Sequence, residues 1–181
     1  MWIIIAVVAV VLLWAVFAFN RLVRLRMQAK AAWSQIDVQL RRRYDLIPNL
    51  VEAVKGYMSH ERGTFEAVTA AREAAARAGQ DVAARSAAEG QLSAALTNLF
   101  ARAESYPELR ASGNMQMLQE ELASTENRIA FSRQHFNDCV MAYNTAIASV
   151  PDMLIAGPFG FRPEALFTTD DAAREPVKVS F

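Results

Sequence analysis

The chain opens on an unbroken apolar run, residues 2–19, with no charged residue, no glycine and no proline. As a helix rising about 1.5 Å per residue, this run spans nearly the whole of a hydrocarbon core about 30 Å thick. Beyond it the pattern becomes periodic. Leu22, Leu25, Ala29, Trp33, Ile36 and Leu40 recur at spacings of three and four, so an amphipathic helix A is expected to continue out of the apolar run. Arg41-Arg42-Arg43 and then Tyr44-Asp45-Leu46-Ile47-Pro48 disturb it. Pro48 supplies no amide and biases Ile47 away from helical dihedrals, and Asp45 is placed to cap a new helix with Pro48 in its first turn. The reading adopted is a break. A kink in one long rod competes with it, because Tyr44, Ile47, Val51 and Val54 keep the same stripe.

Helix B carries Leu50, Val54, Tyr57, Met58, Phe65 and Val68, with the carboxylate of Glu61 on the stripe between Met58 and Phe65. A carboxylate there needs a partner, and His60 and Arg62 lie on other sides, so the partner is expected from another helix. Gly79 suits the position just past the end of helix B, and Asp81 the cap of the next. Helix C buries Leu92, Leu96, Leu99 and Ala103 and stops before Tyr106-Pro107. After a turn at Ser112-Gly113-Asn114, helix D presents Met115, Leu118, Leu122, Thr125, Ile129, Phe136, Val140, Tyr143, Ile147 and Val150 on one face until Pro151. The expected fold is therefore all-α: a single N-terminal transmembrane helix, then an antiparallel four-helix bundle, then an irregular C-terminal tail. The corresponding domains are residues 1–20, 21–150 and 151–181.

The tail lacks helical periodicity but carries Phe159, Phe161, Leu166 and Phe167, too much aromatic surface to leave in water, so it is expected to pack back near the end of helix D. Its last residues, Val177-Lys178-Val179-Ser180-Phe181, alternate like a strand. Val177, Val179 and Phe181 then either dock on this or a neighbouring subunit or enter a groove that captures a C-terminal strand.

Charge gives the apolar run a direction. Arg21, Arg24, Arg26 and Lys30 follow it with no acid before Asp37, whereas only the α-amine precedes it. The positive-inside rule then places the N-terminus outside and the bundle in the cytoplasm, with a periplasmic bundle as the alternative. The same cations attract anionic headgroups. A cleaved secretory signal fits poorly, since there is no basic region ahead of the run and no A-x-A-like site. The lipid bilayer is thus the first expected partner. The 181 residues carry 19 basic and 19 acidic side chains, so no global pull on nucleic acid is expected, and one cysteine excludes an intramolecular disulfide.

Several strings are familiar. Residues 32–40 (AWSQIDVQL), residues 42–51 (RRYDLIPNLV), Val54-Lys55-Gly56-Tyr57, residues 125–130 (TENRIA) and Tyr143-Asn144 resemble the signature of the LemA family. The resemblance runs along nearly the whole chain. It implies one N-terminal membrane helix with a short outer N-terminus, a four-helix bundle and no established activity. His135-Phe136 departs from the basic residue followed by tyrosine expected there, which weakens any role for a phenolic hydroxyl at that point.

Candidate chemistry changes this picture little. A di-iron bundle site needs Glu-x-x-His pairs, but Tyr57 stands three residues before His60 and Ser132 three before His135. Gly157-Pro158-Phe159-Gly160 lacks the lysine and the following helix of a phosphate loop. Neither a metal nor a cofactor is expected. Two polar groups remain. Asn49, Glu52, Glu61, Glu126, Asn127, Arg128, Arg133 and Asn144 lie on or beside the apolar stripes and read as a buried network fixing helix register, or else as a binding site in the bundle. Arg41, Arg42 and Arg43 with Lys55 read as a solvated helix end rather than a patch for RNA or an acidic partner. The expectation is a membrane-anchored interaction or scaffold protein of the bacterial cell envelope, in the inner membrane and self-associating, with a membrane protein as a further candidate partner. The alternative is a hydrolase using Glu61 and Glu126 as acid and base.

Overall fold

The computed structural model describes residues 1–168. Among these the chain is helical, without a strand, in the order α1 (Trp2–Lys55), α2 (Arg62–Arg77), α3 (Val82–Ala103), α4 (Pro107–Arg110), α5 (Gly113–Ala148) and α6 (Met153–Ala156). α1 is the one helix among them long and apolar enough to cross a membrane. The chain divides into two compact units. The first is Met1–Ile36 with Phe131–Leu166, and the second is Asp37–Ala130 with Phe167 and Thr168 of the described tail.

In the first unit, Leu22, Tyr143, Ala146, Ile147 and Ala156 form a buried cluster against which Leu25, Ile155 and Phe161 pack. Trp33 meets Phe136 with ring centroids 5.3 Å apart. The tail returns over this core, and Asn144 fixes it. Its Nδ2 donates to the Glu164 carbonyl at 2.9 Å, and its Oδ1 accepts from the Glu164 amide at 3.0 Å. The stripe on α5 ends earlier than its sequence implies: the helix stops at Ala148 and Val150 is exposed.

The second unit corrects the expected break at Pro48. α1 continues through Pro48 to Lys55, and the chain turns instead at residues 56–61. In a helix Pro48 leaves the carbonyl four residues back without its donor. That carbonyl belongs to Tyr44, and Nε of Arg72 on α2 donates to it at 2.7 Å. Leu46, Ile47 and Leu50 around the proline are buried, so packing holds the backbone helical where local preference opposes it. The expected helix B is consequently divided between the end of α1 and α2, and Tyr57 lies exposed in the turn.

The link from α2 to α3 follows the sequence. Gly79 adopts φ +69°, a left-handed conformation that glycine takes without strain, and the Asp81 carboxylate accepts from the Ala84 amide at 2.7 Å. α2 and α3 pack together. Leu92, Leu96, Leu99 and Ala103 are buried, and Pro107 occupies the first turn of α4.

Candidate functional site

The polar centre of the second unit is built by a cation on a buried stripe. Ile36, Leu40, Arg43, Ile47, Leu50 and Val54 follow one another at alternating steps of four and three, so Arg43 faces the interior with its apolar neighbours. It is fully buried. One arm of its guanidinium pairs with Glu89 of α3, itself fully buried. The other donates to Glu126 of α5 at 2.6 Å and to the Ser93 hydroxyl at 3.2 Å. The Tyr44 hydroxyl donates to the second oxygen of Glu89. Burial pushes the Tyr44 phenol above its ordinary pKa, against the opposing pull of Arg85 and Arg43. Beside this group Arg85 donates to Asp37 at 2.6 Å and to the Gly79 carbonyl at 2.9 Å.

Two concavities open on the same unit. One, of about 450 Å³, lies along Leu96, Phe100 and Leu122, with Ser93 and Glu126 in its lining. The other, about 580 Å³, is bordered by Lys55, Arg62, Phe65, Glu66 and Glu73. Of the polar groups at the first, Ser93 and Glu126 are already bound to Arg43, and the Thr97 hydroxyl donates to the Ser93 carbonyl at 2.9 Å. The arrangement is therefore suited to fixing three helices in register, with Glu89 enclosed against the guanidinium and Glu126 bound to it at the edge of the concavity.

The eight expected network residues do not form one buried network. Asn49, Glu52, Asn127 and Arg128 are exposed; Glu61, Glu126, Arg133 and Asn144 are half-buried. Glu126 belongs to the Arg43 cluster. Glu61 sits in the turn before α2, where its carboxylate accepts from Arg102 of α3 at 2.7 Å and from Thr64 at 3.2 Å. Asn144 holds the tail in the other unit. The basic run is also corrected: Arg41 and Arg42 are solvated, paired with Asp37 and Glu121, but Arg43 is the most buried cation among the described residues. Glu89 and Arg85 escaped notice in an alanine-rich helix, although residues 85, 89, 92, 96, 99 and 103 form one periodic series.

In the first unit the membrane-proximal cations divide. Arg21 pairs with Asp152, and Arg26 lies 3.8 Å from Glu164. Among the described residues Arg24 and Lys30 have no acidic partner. Cys139 lies 3.8 Å from His135, but burial and the charge of Asp138 raise its pKa, which opposes the thiolate a nucleophile needs. Among the described residues no group of three metal-ligating side chains comes together. Val177, Val179 and Phe181 lie outside the described residues.

An apolar, uncovered N-terminal helix continuing into helical units, the second of them built around the buried Arg43–Glu89 pair, defines an α-helical protein equipped with a candidate membrane anchor. The chain belongs to the LemA family, whose model matches residues 32–181. It is also similar to magnetosome protein MamQ of Magnetospirillum gryphiswaldense, 26% identical over 88% of this chain and 68% of that protein. Two proteins of Paramagnetospirillum magneticum, MamQ 1 and MamQ 2, are each 24% identical over the same shares.

Proposed function

We propose that this protein is a membrane-tethered interaction or scaffold module of the bacterial cell envelope, working by binding and assembly rather than by turnover. The observation that carries this reading is the exposure of the apolar run. Ile3, Val8, Leu13 and Phe17 lie uncovered at the head of a helix whose later residues are packed. A core helix would be covered by its own chain; this one leaves its first four turns for another apolar medium. In the proposed arrangement residues 2–19 span the inner membrane, the cations at 21–30 hold the cytoplasmic face, and the remaining helices close as an antiparallel four-helix bundle. The meeting of Trp33 with Phe136, and of Leu22 with Ala146 and Ile147, supports opposed directions for α1 and α5. The matched relatives are named for the magnetosome and not for a reaction, in keeping with a structural role.

Self-association is part of the proposal, and crosslinking in native membranes tests it: species larger than the monomer support it, and monomers at every expression level refute it. Sidedness is read with Ser105→Cys in a Cys139→Ala background, since Ser105 is exposed. A membrane-impermeant thiol reagent should label it only after spheroplasts are lysed, and labelling before lysis places the bundle outside. The hydrolase alternative has less support, because Glu61 and Glu126 are each engaged by an arginine.

A further inference from the structure

The apolar helix is uncovered along most of its length but not to its end. Leu13 and Phe17 are exposed, whereas Trp14, Ala15 and Phe19 are half-buried and Ala18 is only 1% exposed. At about 1.5 Å per residue, this cover reaches roughly 7 Å back from Phe19 into the apolar run. The returning tail touches α1 there. Phe159 and Phe161 meet the Phe19 ring edge-on, with centroids 5.1 and 5.6 Å away.

The segment also exposes apolar side chains. Val150 is 76% exposed, Leu154 61% and Phe159 63%. From residue 150 to 161 the chain holds one ionisable side chain, Asp152, which is buried and paired with Arg21. The backbone is closed as well. Gly160, at φ +71°, lets the Phe161 amide donate to the Ala156 carbonyl at 3.0 Å and its own amide to Gly157 at 3.1 Å. These are the paired hydrogen bonds of a Schellman closure, and they leave fewer polar groups seeking water.

We propose that residues 150–159 form a second membrane contact, inserting beside the anchor into the interfacial layer of the leaflet on the bundle's side. The inference rests on the reading of residues 2–19 as a spanning helix. If Phe19 lies at the hydrocarbon edge, the segment packed on it cannot stand in bulk water. Amphipathic segments of this kind sink about 5–10 Å below the headgroups, which matches the depth of the cover on α1. The occupant of the exposed apolar surface is lipid, because Phe159, 63% exposed, packs against Phe19 at the end of the anchor, where an apolar surface meets the same medium as the anchor itself. Arg24, without an acidic partner, lies at the level of the headgroups.

The test is nitroxide labelling of the full chain in vesicles of phosphatidylcholine and phosphatidylglycerol. Leu154→Cys and Val150→Cys are made separately in a Cys139→Ala background, with Val16→Cys as the anchor reference and Ser105→Cys as the aqueous one. Collision with oxygen relative to a water-soluble nickel chelate is expected to be several-fold higher at 154 and 150 than at 105, approaching the value at 16. Labels at 154 and 150 that behave like the one at 105, with 16 still lipid-exposed, overturn this inference and spare the anchor. An aqueous label at 16 overturns both. Shielding of 154 and 150 from both reagents, growing with protein density, assigns the face to a second copy and also overturns the proposal.

Discussion

Arg72→Ala is expected to damage the fold through a proline it does not touch. Pro48 cannot donate to the Tyr44 carbonyl, and the Arg72 guanidinium does so at 2.7 Å. Tyr44 is buried, so deleting the donor leaves a helix carbonyl unsatisfied, at a cost of about 1–3 kcal/mol. For a chain of this size each kcal/mol moves Tm by about 2–4 °C. Taking about 2 kcal/mol for a charge-assisted bond, Arg72→Ala lowers Tm by about 4–8 °C. Pro48→Ala restores the amide and removes the ring from a helix interior, worth about 3 kcal/mol, less about 0.4–1 kcal/mol through the freer unfolded chain. In that background the restored amide bonds Tyr44, and Arg72→Ala should cost about 1 kcal/mol or less, as for an ordinary half-buried arginine. The coupling of about 1–2 kcal/mol is within reach of a double-mutant cycle. Far-ultraviolet circular dichroism of the full chain in detergent micelles, followed through heat unfolding for the parent and the three variants, measures it. An equal cost of Arg72→Ala in both backgrounds refutes the claim that Arg72 replaces the missing amide.

Arg43→Met strands the buried Glu89 carboxylate and should cost about 3–5 kcal/mol, while Arg43→Met combined with Glu89→Leu should recover part of that loss, because both fully buried charges go together and the Tyr44 hydroxyl loses its acceptor; denaturant titration of both separates stranded charge from lost packing. The raised Tyr44 pKa means that the folded protein keeps this proton to higher pH than the unfolded chain does. Its contribution is complete below the ordinary 10.0 and lost as pH rises through the folded-state value, so Tyr44→Phe should flatten the alkaline fall in stability. Tyr143 is raised in the same direction by burial, so the flattening is partial and grows in the Tyr44→Phe/Tyr143→Phe protein, read from Tm against pH. Asp81→Ala removes the cap of α3 and should cost about 1 kcal/mol, with faster amide exchange at Ala84 as the local signature.

Much of this protein is legible in the order of its residues. The uncharged run at 2–19, the cap at Asp81, the left-handed Gly79 and the stop before Pro107 are local, depending on side chains within a few positions of one another. The step of each series also holds Arg43 and Glu89 on a buried face, a signal the sequence reading passed over, since each interrupts an apolar series without changing its step. Reading Arg43 by its basic neighbours, rather than by that step, assigned it to solvent.

What only the tertiary structure decided is which distant groups meet. Residue spacing along α1 says nothing of Glu89, 46 positions away, or of Glu126, 83 positions away, because helix packing sets those distances. The same holds for Pro48. Local preference favours a break there, and the helix survives because Arg72, 28 positions beyond Tyr44, supplies the missing donor while Ile47 and Leu50 gain burial that a turn would forfeit. The apolar run was evident from composition, but the tail segment lying against its end was not: the Phe19 contacts join residues about 140 positions apart, and only folding brings such residues together.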